Sequence, residues 1–391
     1  MTRTVEAQCC IAGGGPAGMV LGWLLARAGV SVVVLEKHAD FLRDFRGDTV
    51  HPSTLELMYE AGVLDELLKV PHTRMEHIDF EILGERVPGP TFRDLPTRCK
   101  FMALMPQWDF LEFVRAQASR YPTFQLIQRA RVVDLVRDGD RVAGVSAEAD
   151  GGPLEVRAPL VVGADGRHST IRDRAALVSH RFGVPIDVLW MRLAREASDG
   201  DQVLGTVAAD KFLVMLNRGD YWQCAYLIEK GGLARLQQRG LPALRDDLRS
   251  LVPFLDGRLD RLASWDDLKL LTVVVDRLER WWRPGLLCLG DAAHAMSPIG
   301  GVGINLAIQD AVAAANRLAG PLRAGAVDDA VLAGIQAHRE PPTRKIQGLQ
   351  IAVHDHLMAK ILAGTGERRL KMLRFALRHA GPRIRGRMAH T

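Results

Sequence analysis

The chain runs to 391 residues, 48% hydrophobic and 25% charged, a balance that fits an ordinary soluble globular protein with a large core and one to three domains. No apolar run is long enough to span a bilayer, and no basic segment followed by an apolar one opens the chain. The net charge of +5 is uneven: residues 366–391 hold eight Lys/Arg against one acid and the rest sums to −2, so the basic balance belongs to the C-terminal tail and does not mark a nucleic-acid binder.

The first elements carry the densest signal. Cys9 to Ala12 ends a short apolar strand, Gly13, Gly14 and Gly15 allow a tight turn, Ala17 to Ala28 reads as a helix, and Val30 to Leu35 as a second buried strand. The spacing Gly13-x-Gly15-x-x-Gly18 therefore lies between a strand and a helix, where backbone N–H groups meet a pyrophosphate at the helix N-terminus. Glu36 stands 21 residues after Gly15, where an acid bonds ribose hydroxyls and disfavours a 2′-phosphate. NADP is thereby excluded from this site, and NAD and FAD remain. The first strand is expected near residue 5, leaving no room for a transit peptide, and the expected compartment is the cytoplasm.

Further along, "RGDTVHPSTLELMYEAGVLDELL" predicts a loop and then a helix capped by Ser53 or Thr54, with Glu56 in its first turn. Residues 76–104 read as short strands, and a helix is expected over Trp108 to Arg120. A hairpin should turn at Asp138-Gly139-Asp140. Residues 180–275 alternate in strand fashion, with a turn at Asn217 to Asp220. Alternation puts Tyr221 and Gln223 on one face and Trp222, Cys224 and Tyr226 on the other, and which face meets a substrate stays open. The final third is helical. Its stripe of Leu370, Leu373 and Leu377 predicts core or dimer packing, with docking on a membrane surface as the alternative. The five cysteines form no CxxC pair and read as buried thiols. His354 and His356 point to different helix faces, His294 reads as structural, and no metal site is predicted.

Two later stretches repeat the strand, glycine turn, helix plan. "LVVGADGRHSTIRDRA" ends a buried strand at Gly163 and gives Asp165-Gly166 before a helix. "GLLCLGDAAHAMSPIGGVGINLAIQDAV" delivers Gly290-Asp291 from a strand, then a loop with Pro298, Gly300, Gly301 and Gly303 leads into a helix near Ile304-Asn305. That helix aims its positive end at whatever sits beside the loop. The return of such motifs after a sheet-rich stretch predicts a discontinuous cofactor domain with a sheet domain inserted in it.

With these motifs in this order, the chain resembles the single-component FAD-dependent aromatic hydroxylases, the family of para-hydroxybenzoate hydroxylase, from about Val5 to Leu318. The resemblance implies an α/β fold: a Rossmann-like FAD-binding domain, an inserted and mostly antiparallel β-sheet substrate domain, and a helical C-terminal segment. The expected FAD-binding parts are 1–75, 105–178 and 276–325. The expected substrate-domain parts are 76–104 and 179–275, and C-terminal helices should fill 326–391. Gly13, Gly15, Pro16, Ala17, Gly18, Glu36 and Lys37 match the ADP end of FAD, and Val132 a backbone contact to adenine. Asp165 matches an Asp-Gly motif implicated in FAD and nicotinamide binding. Gly290 and Asp291 match the motif whose acid holds the ribityl chain. Pro298, Gly301, Gly303, Ile304 and Asn305 match the loop beside the isoalloxazine. Arg46 matches an Arg near the pyrophosphate, and Gln107 a contact to the ribityl or phosphate region.

The resemblance implies a monooxygenase. NADH or NADPH visits transiently and reduces FAD, and O2 then adds to give a flavin C4a-hydroperoxide. Its distal oxygen passes to an activated aromatic ring, a phenol that is multi-ring or polyketide-like. His51 is a candidate base, and Tyr221, Trp222 and Gln223 are candidate substrate contacts. Benzoate-type members clamp a carboxylate with an Arg in the central hairpin, whereas this hairpin has Arg218 in the turn, then Tyr221, Trp222 and Gln223, a departure that points away from a small benzoate. The protein is expected to be a monomer or homodimer without nucleic-acid partners. Two other readings stand beside this one: an FAD-dependent reductase or epoxidase of an unsaturated substrate, and a non-enzymatic binding protein on the same fold. The Trp-x-Trp-x-Ile-Pro pattern of flavin halogenases is absent around Trp281-Trp282.

Overall fold

A computed structural model of the protein describes residues 2–42, 49–200 and 205–380. The chain divides into two units, one of Met1–Gly47, Pro106–Phe182 and Val274–Gln347, the other of Asp48–Met105, Gly183–Val273 and Gly348–Thr391.

The first unit is organised by short strands that are apolar on both faces. Cys9–Ala12, Val32–Leu35 and Leu160–Gly163 are buried throughout, the pattern of a parallel sheet covered on both sides. They stand in a six-stranded sheet in the order Trp282–Arg283, Leu286–Cys288, Leu160–Gly163, Cys9–Ala12, Val32–Leu35, Phe124–Ile127. All pairs are parallel except the first. The registers align Cys288, Gly163, Ala12 and Leu35, so the chain leaves four neighbouring strands at one edge of the sheet. The helix Pro16–Arg27 packs against the helices Gln107–Ala118 and Gly303–Arg323. A four-stranded sheet flanks this core and contains the expected hairpin, in which Asp138 pairs with Arg141 across a turn whose Gly139 has φ +56°.

The second unit holds a seven-stranded sheet in the order Lys269–Leu271, Ile186–Ala194, Tyr221–Glu229, Phe212–Asn217, Gly205–Val207, His77–Ile82, Glu85–Thr91. It is antiparallel apart from the pairing of Gly205–Val207 with His77–Ile82. One face is packed by the helices Leu233–Arg239 and Leu241–Leu251. Trp222, Cys224 and Tyr226 join Met191 and Met215 there against Leu244 and Leu248. The helix Pro52–Glu60 begins differently from the sequence expectation. Neither Ser53 nor Thr54 caps it: His51 is the N-cap and Pro52 the first helical residue, where a missing N–H costs nothing. Glu56 instead accepts the backbone N–H of Arg98 at 2.7 Å. The last helix, Glu367–His379, packs on the Glu85–Thr91 strand of its own unit, burying Leu370 and Leu377 and pairing Arg374 with Glu85 at 2.8 Å.

A buried ion pair braces the second unit. Arg258 grips Asp199 with both guanidinium ends, at 2.7 and 2.8 Å, and the Trp222 indole N–H donates to the same carboxylate at 2.8 Å. The Arg258 bonds hold the Asp199 carboxyl down at about 2. A carboxyl depressed in the folded state contributes stability above its ordinary pKa and loses it as pH falls through the folded value. Between about pH 4 and pH 2 this pair should therefore give up about 2 kcal/mol. Asp199→Ala should cost about 3–5 kcal/mol at neutral pH, because Arg258 is left buried without its partner. Urea unfolding at pH 7 and pH 3 tests both terms, with about half of the acid loss expected by pH 3, and an acid-induced loss of equal size in the variant and the wild type would contradict the assignment.

All five cysteines are free and buried. Burial pushes their thiols up, Cys10 to about 12. Among the described residues no group of His, Cys, Asp and Glu is assembled to hold a metal, and no helix is long and apolar enough to cross a membrane.

Candidate functional site

The strand edge of the first unit gathers most of the residues singled out above. After Cys9–Ala12 the chain turns at Gly13, with φ +106°, where a Cβ would lie 2.3 Å from the carbonyl oxygen of Ala164. Only glycine lets this turn pass so close to the neighbouring strand end. A Cβ on Gly18 would lie 2.0 Å from the Gly13 carbonyl oxygen, so the first helical turn also sits on the loop it follows. Gly15 differs. Its backbone is extended, and a Cβ there would meet nothing within 4 Å among the described residues. The helix behind it has Pro16 at its start, no side-chain cap and no acid in its first turn. Its N-terminal N–H groups and positive dipole end thus adjoin open space, the arrangement that receives a phosphate.

Glu36 stands at the end of Val32–Leu35 with 8% of its surface exposed. Its carboxylate accepts the N–H of Gly14 at 2.8 Å and of His38 at 3.0 Å, so it braces the glycine turn from the next strand. Lys37 beside it is exposed. Val132 lies on Ala130–Asp138, whose first residue donates its N–H to the Glu36 carbonyl.

The Asp165 carboxylate is committed locally. It accepts the Ser169 hydroxyl at 2.5 Å and the Ile171 N–H at 3.1 Å, while Ser169 caps the helix Thr170–Arg174. Burial pushes its carboxyl above the ordinary range, against the lowering effect of those bonds. What the Asp-Gly turn sends outward is Arg167, which approaches Asp291 at 3.8 Å. Arg167 was not singled out in the sequence, although its place directly after the motif is the available signal. Asp291 is about one-third exposed, in a 3-10 turn following Leu286–Cys288. Gly290, with φ +57°, is flanked by Ala17 and Ala307 at 3.3 and 3.2 Å from a would-be Cβ, which ties this turn to both long helices.

The loop beyond carries Pro298 at the head of a short turn, and Gly300 and Gly301 have φ +80° and +63°. Asn305, in the first turn of Gly303–Arg323, donates its side-chain amide to the Gly301 carbonyl at 3.0 Å and fixes the loop against the helix. This helix too starts without a side-chain cap or an acid, with Gly303 and Ile304 as its first residues. Gln107 opens the helix Gln107–Ala118 in the same unit.

The remaining candidate residues fall elsewhere. Arg46 lies outside the described residues. His51 belongs to the second unit, where its carbonyl accepts the N–H groups of Thr54 and Leu55. Of the three hairpin residues, Trp222 is corrected. It is 2% exposed, packed against the helical layer and bonded to Asp199, so it is a core residue rather than a substrate contact. Tyr221 and Gln223 project to the opposite face. Gln223 accepts from Arg218 at 3.1 Å, and Arg192 stacks 5.0 Å over the Tyr221 ring.

Two uncapped helix starts, an open glycine position and a strand-end acid fit a dinucleotide carrying a second polar chain, as FAD does. A family model described as FAD binding domain matches residues 6–347. The 6-methylpretetramide 4-monooxygenase of Streptomyces rimosus is 32% identical, over 92% of this chain and 85% of its own. From the same species, the 12-dehydrotetracycline 5-monooxygenase/anhydrotetracycline 6-monooxygenase is 29% identical over 85% of this chain and 66% of its own. The crystal structure of PqsL from Pseudomonas aeruginosa, described as a probable FAD-dependent monooxygenase, superposes with a TM-score of 0.77 at 25% identity, over 92% of this chain and 99% of that one.

Proposed function

Since the chain belongs to the FAD-binding-domain family and is an FAD-dependent monooxygenase, we propose that it hydroxylates an aromatic ring of a multi-ring, polyketide-like phenol. The observation that carries this reading is the likeness to enzymes whose names specify tetracyclic substrates, extending over nearly the whole chain. FAD, once reduced by NADH or NADPH, supplies the electrons that activate O2 for transfer to the ring.

The chain's own contribution is to hold that cofactor. The turn at Gly13 to Gly18 and the uncapped start of Pro16–Arg27 receive the pyrophosphate. Glu36 presents its carboxylate to the adenosine ribose while keeping Gly14 in place. Asp291 accepts from the ribityl hydroxyls, with Arg167 limiting its swing. The start of Gly303–Arg323, steadied by Asn305, favours negative charge on the pyrimidine side of the reduced ring, an effect of about 0.3–2 kcal/mol. Tyr221 is the hairpin residue we assign to direct substrate recognition, by stacking, with Gln223, itself only 3% exposed, acting from behind through its bond to Arg218.

Turnover with NAD(P)H and labelled O2 across a panel of polycyclic phenols, read by mass spectrometry, tests the proposal. One labelled oxygen in the product is expected. A reduced product formed equally well without O2 would make the protein a reductase, and a protein that purifies without yellow colour and takes up no added FAD would be a binding module.

A further inference from the structure

Beyond Asn305 in its first turn, the helix Gly303–Arg323 is apolar along its buried side except at Asp310, which is completely buried two turns in from the start. A carboxylate in such a place needs strong partners. Asp310 has three. Its Oδ2 accepts the backbone N–H of Gly290 at 3.2 Å and the Nε2–H of His294 at 2.6 Å, and its Oδ1 accepts Arg339 Nε at 2.8 Å from the helix Asp329–Val353. Burial by itself would push the carboxyl up. The His294 ring and the Arg339 guanidinium overcome that and hold it below its ordinary value, so it stays ionised. The Gly290 carbonyl in turn accepts the N–H of His294 at 2.8 Å. Both sides of the Gly290 peptide backbone are thus held by groups behind the turn, and Asp291 is the next residue.

We propose that Asp310 is a positioning residue for FAD: it clamps the Gly290 backbone from inside the protein and thereby sets where Asp291 presents its carboxylate. The inference rests on the reading that Asp291 contacts the cofactor. An ion pair that served only to dock Asp329–Val353 would need Arg339 alone. The bond to Gly290 adds nothing to that docking and everything to the angle of the turn, because a glycine at φ +57° has no side chain of its own to hold it.

The isosteric change Asp310→Asn separates the two roles. An amide keeps one acceptor, which Arg339 claims, and turns its NH2 toward His294 and Gly290. His294 can adapt by moving its proton to Nδ1, which has no hydrogen-bond partner among the described residues, and accepting at Nε2. The Gly290 N–H cannot adapt and loses its acceptor.

The test measures FAD affinity of the apoprotein by flavin fluorescence quenching, alongside thermal unfolding of the same apoprotein, for Asp310→Asn, Arg339→Gln, Asp291→Ala and the double variant of residues 310 and 291. Asp310→Asn and Arg339→Gln should both lower the melting temperature. Only Asp310→Asn should weaken FAD, by at least about tenfold, with Arg339→Gln within about twofold of wild type. The double variant should bind FAD no more weakly than Asp291→Ala alone, since the two residues act through one contact. Wild-type affinity in Asp310→Asn, or losses that add fully in the double variant, would overturn the proposal. If Asp291→Ala alone binds FAD as tightly as wild type, the contact on which the inference rests is absent, and that outcome is recognisable whatever Asp310→Asn does.

Discussion

Gly15→Ala should leave the folded protein as stable as wild type and cost it FAD. The backbone at Gly15 is extended with φ −76°, which alanine adopts without strain, and the added methyl meets no atom within 4 Å among the described residues. It projects into the open space in front of the uncapped helix, where a pyrophosphate must come within hydrogen-bond reach of backbone N–H groups. Losing one or two charge-assisted hydrogen bonds, each about 1.5–3 kcal/mol, weakens binding by about a hundredfold. Gly18→Ala is the contrasting change. Its methyl would sit 2.0 Å from the Gly13 carbonyl oxygen, so it should lower the melting temperature as well. Thermal unfolding of the apoproteins and fluorimetric titration with FAD distinguish the two. A Gly15→Ala variant that melts early, or that binds FAD normally, would mean the open space is not the phosphate cradle.

Asp291→Ala should likewise keep the fold and lose about ten- to a hundredfold in FAD affinity, the value of one charged hydrogen bond to a ribityl hydroxyl. Its side chain is about one-third exposed and the Arg167 guanidinium stands 3.8 Å away, so among the described residues its removal costs only a long, partly solvated ion pair. The apoprotein melting temperature should accordingly stay put. Release of FAD during gel filtration is the simplest measurement, and a variant that elutes with full yellow colour would remove Asp291 from the cofactor site.

The cofactor unit was legible because its signals are local. Continuous apolar strands, a glycine turn and a helix start fall within thirty residues, and the same plan returns at Asp165 and Gly290. The sharp steric limits at Gly13 and Gly18 are the physical content of that spacing. Long-range side-chain commitments were harder to read. Nothing near Asp165 announces that its carboxylate will turn back to Ser169 and Ile171 and leave Arg167 to reach Asp291. Alternation along Tyr221–Glu229 separated Trp222 from Gln223 correctly, but which set faces the helical layer depends on helices that follow the strand. The cap of Pro52–Glu60 was misread because proline at the first helical position outweighs a serine one residue later. Asp310 could have been found: a single acid among apolar residues of a buried helix has to be paired with something.

The buried thiols have a bearing on how such a protein survives its own chemistry. A catalyst that passes electrons to O2 releases hydrogen peroxide whenever reduction runs without substrate, and the species peroxide attacks is the cysteine thiolate. Here Cys9, Cys10, Cys224 and Cys288 are closed off inside strands, and their raised pKa values leave almost no thiolate at neutral pH. Cys99, on a loop, is nearly as well covered. The cysteines are thereby placed where idle turnover damages them least, so inactivation under such conditions should begin at other side chains, with exposed Met372 ahead of any of the five.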